Sequence, residues 1–263
     1  MRISIIGCGW LGLPLGEKLA KAGHEVLGST TRQEKLKELT EAGIQAFRFA
    51  LTPMPTGKDF NALFKTDLLI INIPPRRKTQ SPDFYEEQVK YLCYLVDQHQ
   101  VPRVMFVSST SYYPNTGDWV DVSTAPDLEN GSSKAVVQGE MQIRKTKADL
   151  IILRCGGLMG GQRIPGRWFA GKPTKGADTP VNYIHKTDLI AVIQSLAETE
   201  NWEHSVMNLV SPEHPSRKAV HEAMATKYDF APPQWQDPAI IPHKLVKSDI
   251  QDFALNYPSP LSY

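Results

Sequence analysis

Met1-Arg-Ile-Ser-Ile-Ile-Gly7-Cys-Gly9-Trp-Leu-Gly12 is the stretch on which the organisation of the chain turns. Ile3, Ile5 and Ile6 form a short apolar, β-branched run, the mark of a strand buried on both faces. Gly7, Gly9 and Gly12 follow at the spacing G-x-G-x-x-G, and residues 11–22 continue as a helix. Pro14 is tolerated in a first helical turn, and Gly23 suits the left-handed position just past a helix end. His24-Glu-Val-Leu-Gly28 opens a second strand. A glycine triplet set between strand and helix, with another strand following, predicts a dinucleotide-binding unit. Gly7 permits the tight turn, Gly9 the approach of a pyrophosphate, and Gly12 close packing of helix on strand. The helix start adds N–H groups and a partial positive charge. An ordinary turn with flexible glycines is the plainer alternative.

Dinucleotide sites that choose NAD place Asp or Glu about 20 residues beyond the glycine turn, on the ribose 2′-hydroxyl. Here that region reads Ser29-Thr-Thr-Arg32. Arg32 can pair with a 2′-phosphate, and Ser29, Thr30 or Thr31 can donate hydrogen bonds to it. The expected cofactor is therefore NADP(H) rather than NAD(H). Arg32 as an exposed helix-start residue is the competing reading.

Outward from this unit, strand and helix patterns alternate. Residues 25–30 form the second strand, 34–42 a helix closed by Gly43, and 44–51 the third strand. Residues 52–57 carry two prolines and read as loop. Asp67-Leu-Leu-Ile-Ile-Asn-Ile73 is a fourth strand stopped by Pro74-Pro75. Residues 84–99 form a helix with Val89, Leu92, Cys93 and Val96 on one face, and 101–107 the fifth strand. A further helix covers 132–147, and a sixth strand 150–154. Such alternation requires a Rossmann-type, doubly wound parallel α/β sheet. Residues 156–176 are glycine-rich and irregular, and 181–185 and 206–210 read as strands. Helices follow each of these last two, and the end is proline-rich. The expected division is a dinucleotide-binding domain over 1–155 and a smaller α/β substrate lobe over 156–263, woven onto the sheet edge.

Composition narrows the classes. A chain of 263 residues with formal net charge +1 shows no sign of nucleic-acid or anionic-membrane binding. No apolar run is long enough to span a bilayer, and the first strand begins where a signal peptide would stand. Cys8, Cys93 and Cys155 are widely spaced without C-x-x-C, which argues against a disulfide framework or zinc site. The histidines lack metal-ligand spacing, so no metal is expected. The expectation is a soluble, cytoplasmic protein.

The fifth strand ends in Ser108-Ser-Thr-Ser-Tyr-Tyr-Pro114, hydroxyls placed where a nicotinamide ring would lie. With the glycine turn, this resembles the extended short-chain dehydrogenase/reductases, the NAD-dependent epimerase/dehydratase superfamily, whose fifth strand ends in Ser-Ser-x-x-x-Tyr-Gly. Leu153-Arg-Cys-Gly-Gly-Leu-Met-Gly160, Asn182-Tyr-Ile-His-Lys-Thr-Asp188 and Asn208-Leu-Val210 are similar to later stretches of that family. The resemblance covers essentially the whole chain, and the short terminal lobe suits its atypical bacterial YeeZ-like subgroup. It implies that Ser109 is the catalytic hydroxyl and that Lys134 is the lysine of Tyr-x-x-x-Lys, which holds the cofactor ribose. It also implies a dinucleotide contacted by Gly7, Gly9, Trp10, Leu11, Gly12, Ser29, Thr30, Thr31, Arg32, Pro74, Ser108 and Lys134.

One departure matters. Four residues before Lys134 stands Asn130, which hydrogen-bonds but cannot serve as acid or base near neutral pH. Tyr112 and Tyr113 are the nearest phenols in sequence, with Tyr183 further on; each can equally be a packing residue. His185 reads as structural. Arg76, Arg163 and Arg167 are candidates to hold a carboxylate or phosphate of a small polar substrate, in a cleft over the ends of strands four and five. The alternative is that they coat surface loops. Three functions follow. The first is an NADP(H)-dependent oxidoreductase, epimerase or dehydratase. The second is a cofactor-binding sensor or regulator that has lost catalysis. The third, a β-hydroxyacid-dehydrogenase type, is disfavoured by strands at 181 and 206, because that class ends in helices. A homodimer through the helix at 84–99 is implied by resemblance alone.

Overall fold

The structure, a computed structural model, describes residues 1–75 and 79–263; the basic run Arg76-Arg77-Lys78 lies outside the described residues. Strand β1 (Arg2–Ile6) enters the glycine turn and helix α1 (Gly12–Lys21) leaves it. Then come β2 (Glu25–Thr30), α2 (Leu36–Glu41), β3 (Gln45–Leu51), β4 (Pro55–Gly57), β5 (Leu68–Ile71), α3 (Pro82–Gln98) and β6 (Arg103–Ser109). After β7 (Trp119–Val120), α4 (Lys134–Ile143) leads to β8 (Asp149–Cys155), β9 (Gly157–Met159) and β10 (Pro173–Lys175). The chain closes with β11 (Tyr183–His185), α5 (Lys186–Glu198), β12 (Val206–Leu209), α6 (Arg217–Lys227), β13 (Gln234–Gln236) and β14 (Leu245–Val246).

The large sheet runs in the order β12-β8-β6-β5-β1-β2-β3-β4. β1 lies between β2 and β5 and is parallel to both, with Ile3 opposite Val26 on one side and Leu68 on the other. The chain builds outward from β1 through β2 and β3, then returns to start again at β5. That reversal is the switch point at which doubly wound sheets bind ligands, at the carboxyl ends of the strands. Ile3, Ile5, Leu68, Leu69, Ile70 and Ile71 have no exposed surface, as continuous apolar runs in the middle of such a sheet require.

β4 corrects the expectation of loop at 52–57. It pairs antiparallel with β3, Leu51 opposite Pro55 and Phe49 opposite Gly57. Pro55 opens an edge strand, where its missing N–H disrupts no ladder. The segment 156–176 is likewise less irregular than its composition suggests, since it holds β9 and β10. Each is three residues long and parallel to a distant partner, β9 to β11 and β10 to β13.

The chain forms two compact units, each discontinuous. The first comprises residues 1–112, 133–153 and 193–207; the second 113–132, 154–192 and 208–263. In the first, a core including Phe49, Phe64, Leu69, Ile71, Val89, Leu92, Phe106 and Ile152 lies under α3. The apolar face of α3 (Tyr85, Val89, Leu92, Cys93, Val96) is spent inside this core. The second unit packs Ile164, Val181, Val220 and Met224, flanked by Tyr228, Phe230 and Tyr263. Among the described residues, no helix is long and apolar enough to cross a membrane.

Candidate cofactor and catalytic site

The three glycines have distinct physical roles. Gly7 has φ +103°, and an added Cβ would lie 2.4 Å from the Asn72 carbonyl oxygen. At Gly12 an added Cβ would lie 2.3 Å from the Gly7 carbonyl oxygen. At Gly9 nothing lies within 4 Å. Gly7 and Gly12 are thus required by the fold, and Gly9 faces open space. The turn is fixed from below: Gly7 N–H donates to Ser29 Oγ at 3.0 Å, Cys8 N–H to the Ser29 carbonyl at 2.8 Å. Asn72 Nδ2 donates to the Gly7 carbonyl at 3.0 Å. The start of α1 carries no side-chain cap and no acidic residue in its first turn, which suits an incoming anion. These features fit a dinucleotide pyrophosphate over Gly9, with Trp10, Leu11 and Gly12 forming the start of the helix.

Beside the turn opens a cavity of about 230 Å³. Its walls include Ile6, Gly7, Ser29, Thr30, Thr31, Phe49, Leu51, Ile73, Pro74 and Gln88, with no carboxylate among the described residues there. Ser29 and Thr30 are buried, while Thr31 and Arg32 are exposed. Thr30 Oγ1 accepts from Arg32 N–H at 3.2 Å, which turns the chain where β2 ends. Gln88 Nε2 donates to the Leu51 carbonyl at 2.7 Å and closes the far wall. An apolar slot bordered by hydroxyls fits the adenosine half of a dinucleotide.

At the end of β6 the two serines diverge. Ser108 donates its hydroxyl to Glu140 Oε1 at 2.6 Å. Glu140 has no exposed surface and lies 3.7 Å from Arg144. Ser108 is therefore engaged with a buried carboxylate. Ser109 Oγ accepts from the Ser111 N–H at 3.2 Å and the Ser111 hydroxyl at 3.0 Å, which leaves its own proton to donate. Ser133 N–H donates to the Ser111 carbonyl at 2.7 Å, tying the start of α4 to this segment. Lys134 is the first residue of α4, half-exposed, with Nζ 3.5 Å from Asp83.

Asn130 is not on that helix. It lies in an exposed turn, its N–H 3.3 Å from Asp127 Oδ1 and its carbonyl accepting from Asn115 N–H at 2.7 Å. Residues four apart share a face only where the backbone between them is helical. The Tyr-x-x-x-Lys geometry is thus missing in backbone as well as in side chain. Tyr113 does not replace it. The residue is fully buried; its hydroxyl donates to Asn208 Oδ1 at 2.6 Å and accepts from Arg154 at 2.8 Å. The Arg154 guanidinium lies 4.8 Å from its ring centroid. These contacts make Tyr113 a core phenol, a correction to its candidacy for proton transfer. Tyr112 is only partly buried and closes the 3₁₀ turn Thr110–Tyr112. Tyr183 is partly buried, its hydroxyl 3.3 Å from His221 Nε2.

The candidate arginines separate. Arg163 is half-buried, and burial draws its pKa below the usual value. Arg167 is exposed, lies over the Phe230 ring at 5.4 Å and reaches the Tyr228 carbonyl at 3.5 Å. Arg76 lies outside the described residues. His185 is buried against Tyr257 and Tyr263 at 4.0 and 4.5 Å. Among the described residues no group of three His, Cys, Asp or Glu could hold a metal ion. All three cysteines are buried, and burial pushes each thiol up to about 12. Asn72, Gln88 and Glu140 were not singled out from sequence. Only Asn72 leaves a local signal, as the polar residue that ends an apolar strand.

The profile of the NAD binding domain of 6-phosphogluconate dehydrogenase matches residues 2–116. Beyond that span, β11 and β12 stand where a helical second domain would contain none. A putative NAD-dependent epimerase/dehydratase from Methylobacillus flagellatus has the same fold, with TM-score 0.72 at 22% identity over 99% of this chain and 95% of that one. The Bordetella bronchiseptica enzyme WbmG, solved in complex with NAD, superposes with TM-score 0.72 at 18% identity over 94% of this chain and 85% of that one. In sequence, Protein YeeZ of Escherichia coli K12 is 31% identical over 269 residues, covering 99% of this chain and 97% of YeeZ. The chain therefore belongs to the YeeZ family, and its residues 2–116 match an NAD-binding domain.

Proposed function

We propose that this protein is an NADP(H)-dependent oxidoreductase, epimerase or dehydratase-type enzyme acting on a small, polar, anionic substrate. The observation that carries the cofactor choice is the end of β2. There Thr31 lines a cavity with no carboxylate among the described residues of its walls, and Arg32, the next residue along the chain, is exposed. A 2′-phosphate meets a guanidinium and hydroxyls there, where an acidic residue would repel it. The bound cofactor supplies hydride transfer. The protein's own part is to hold the pyrophosphate on the glycine turn, with Ser29 and Asn72 fixing that turn. Ser109 donates its free proton to the reacting oxygen. Lys134 binds the ribose, its exposed pair with Asp83 being weak enough to exchange. In an Arg32→Ala variant, calorimetry should show NADPH binding weakened about tenfold and NADH binding unchanged. Equal losses for both, or none, would sink the NADP(H) reading.

A second reading is favoured by the non-helical Asn130 and the buried Tyr113: a protein that binds the dinucleotide without turning it over. Single-turnover transfer of deuterium from labelled NADPH to carbonyl compounds bearing carboxylate or phosphate separates the two. Transfer supports the enzyme; tight binding without transfer to any of them supports the sensor.

A further inference from the structure

Within the second unit, Lys244 is a cation that meets no carboxylate among the described residues. Lys244 is half-buried; its Nζ donates to the Tyr113 carbonyl at 2.6 Å and to Asn115 Oδ1 at 3.2 Å. Both acceptors are neutral, and two hydrogen bonds leave the third N–H of the ammonium unspent. Burial alone draws its pKa down to about 8, with no carboxylate acting on it. Lys244 lines a cavity of about 220 Å³ together with Asn115, Thr179, Asn182, Arg217 and His243. Among the described residues, no Asp or Glu lines that space. Arg217, also half-buried, donates to the Lys175 carbonyl at 3.2 Å and lies 5.1 Å from the Phe169 ring centroid, again without a carboxylate partner. Two partly desolvated cations facing one small cavity, neither neutralised, are costly unless an anion enters.

The walls are fixed. Asn182 Nδ2 donates to the Lys244 carbonyl at 2.9 Å, and Asn182 Oδ1 accepts from Val246 N–H at 2.9 Å. β14, which follows Lys244, is held against β7. Thr179 Oγ1 accepts from Ile241 N–H at 3.0 Å. The cavity is therefore preformed, and filling it needs no rearrangement of its frame.

We propose that this cavity is a binding site for a small oxyanion-bearing molecule, a carboxylate or phosphate, held between Lys244 and Arg217. The test is calorimetry on the full chain at neutral pH, with inorganic phosphate and malonate as separate probes, each with and without saturating NADPH. Saturable binding of either probe should persist with NADPH present, because the dinucleotide turn belongs to the other unit. The probe that binds tighter tells phosphate from carboxylate. Lys244→Met should weaken that binding about tenfold, while Lys244→Arg should retain it within about threefold. Because Lys244 also holds the Tyr113 carbonyl, Arg217→Gln serves as a second variant and should weaken binding several-fold with folding intact by circular dichroism. Three results would overturn the proposal: no saturable binding of either probe, binding abolished by NADPH, or affinities unchanged in both Lys244→Met and Arg217→Gln. None depends on whether the protein turns over NADP(H), so failure here and failure of the enzymatic reading are separate results.

Discussion

Gly9 and Gly12 look alike in the sequence and behave differently in space. A methyl group at Gly9 meets nothing within 4 Å, whereas at Gly12 it would lie 2.3 Å from a backbone oxygen. Gly9→Ala should therefore unfold at the parent temperature but bind dinucleotide at least about tenfold more weakly, since the methyl occupies the space a pyrophosphate needs. Gly12→Ala should lose about 1–3 kcal/mol of stability, because helix and turn must move apart. Differential scanning calorimetry and NADPH titration on the pair check both halves. Ser108 is the other residue whose role the structure sharpens. Ser108→Ala removes a donor from a buried carboxylate and should cost about 1–3 kcal/mol in urea unfolding. The motif spacing made Gly7, Gly9, Gly12 and the Ser29–Arg32 segment legible. Glu140 was not, because its partner lies 32 residues away, and Asn72 showed only its place at the end of an apolar strand, its partner being 65 residues away.

At the level of elements, α4 decides the catalytic question. Lys134 opens this helix, and the residue four before it sits in a separate turn. Asn130→Tyr should consequently restore nothing: cofactor affinity and hydride transfer should stay within about twofold of the parent, because the added phenol has no helical face to share with Lys134. A large gain in transfer would mean that the 127–132 turn rearranges into helix. Lys134→Ala should weaken NADPH binding severalfold, and Asn130→Ala should not. The long buried strands and most helices could be read from periodicity, with ends off by a few residues. β4, β7, β9, β10, β13 and β14 are two or three residues long, and most are paired with distant segments. No local pattern can announce such strands, which is why the segment after residue 155 read as irregular.

For the whole molecule, acid should act first on the second unit. His185, His214 and His221 all belong to it, and burial lowers the pKa of each; His221 falls to about 4, with the charge of Arg217 adding to the effect. His221 is enclosed by Phe169 and Trp235 at 5.8 and 5.9 Å. A base held neutral in the fold binds fewer protons than in the unfolded chain, where histidine titrates near 6.5. Its contribution is thus complete above about pH 6.5 and is lost as pH falls towards about 4. Urea midpoints should drop between about pH 7 and pH 5, and His221→Gln should flatten that slope.

A working NADP(H) site on this YeeZ-family chain is what the proposed function requires. Calorimetric titration of the purified parent with NADPH and with NADH tests it most directly. One NADPH per chain should bind, about tenfold or more tighter than NADH. NADH binding equal or tighter, or neither dinucleotide binding at all, would contradict it.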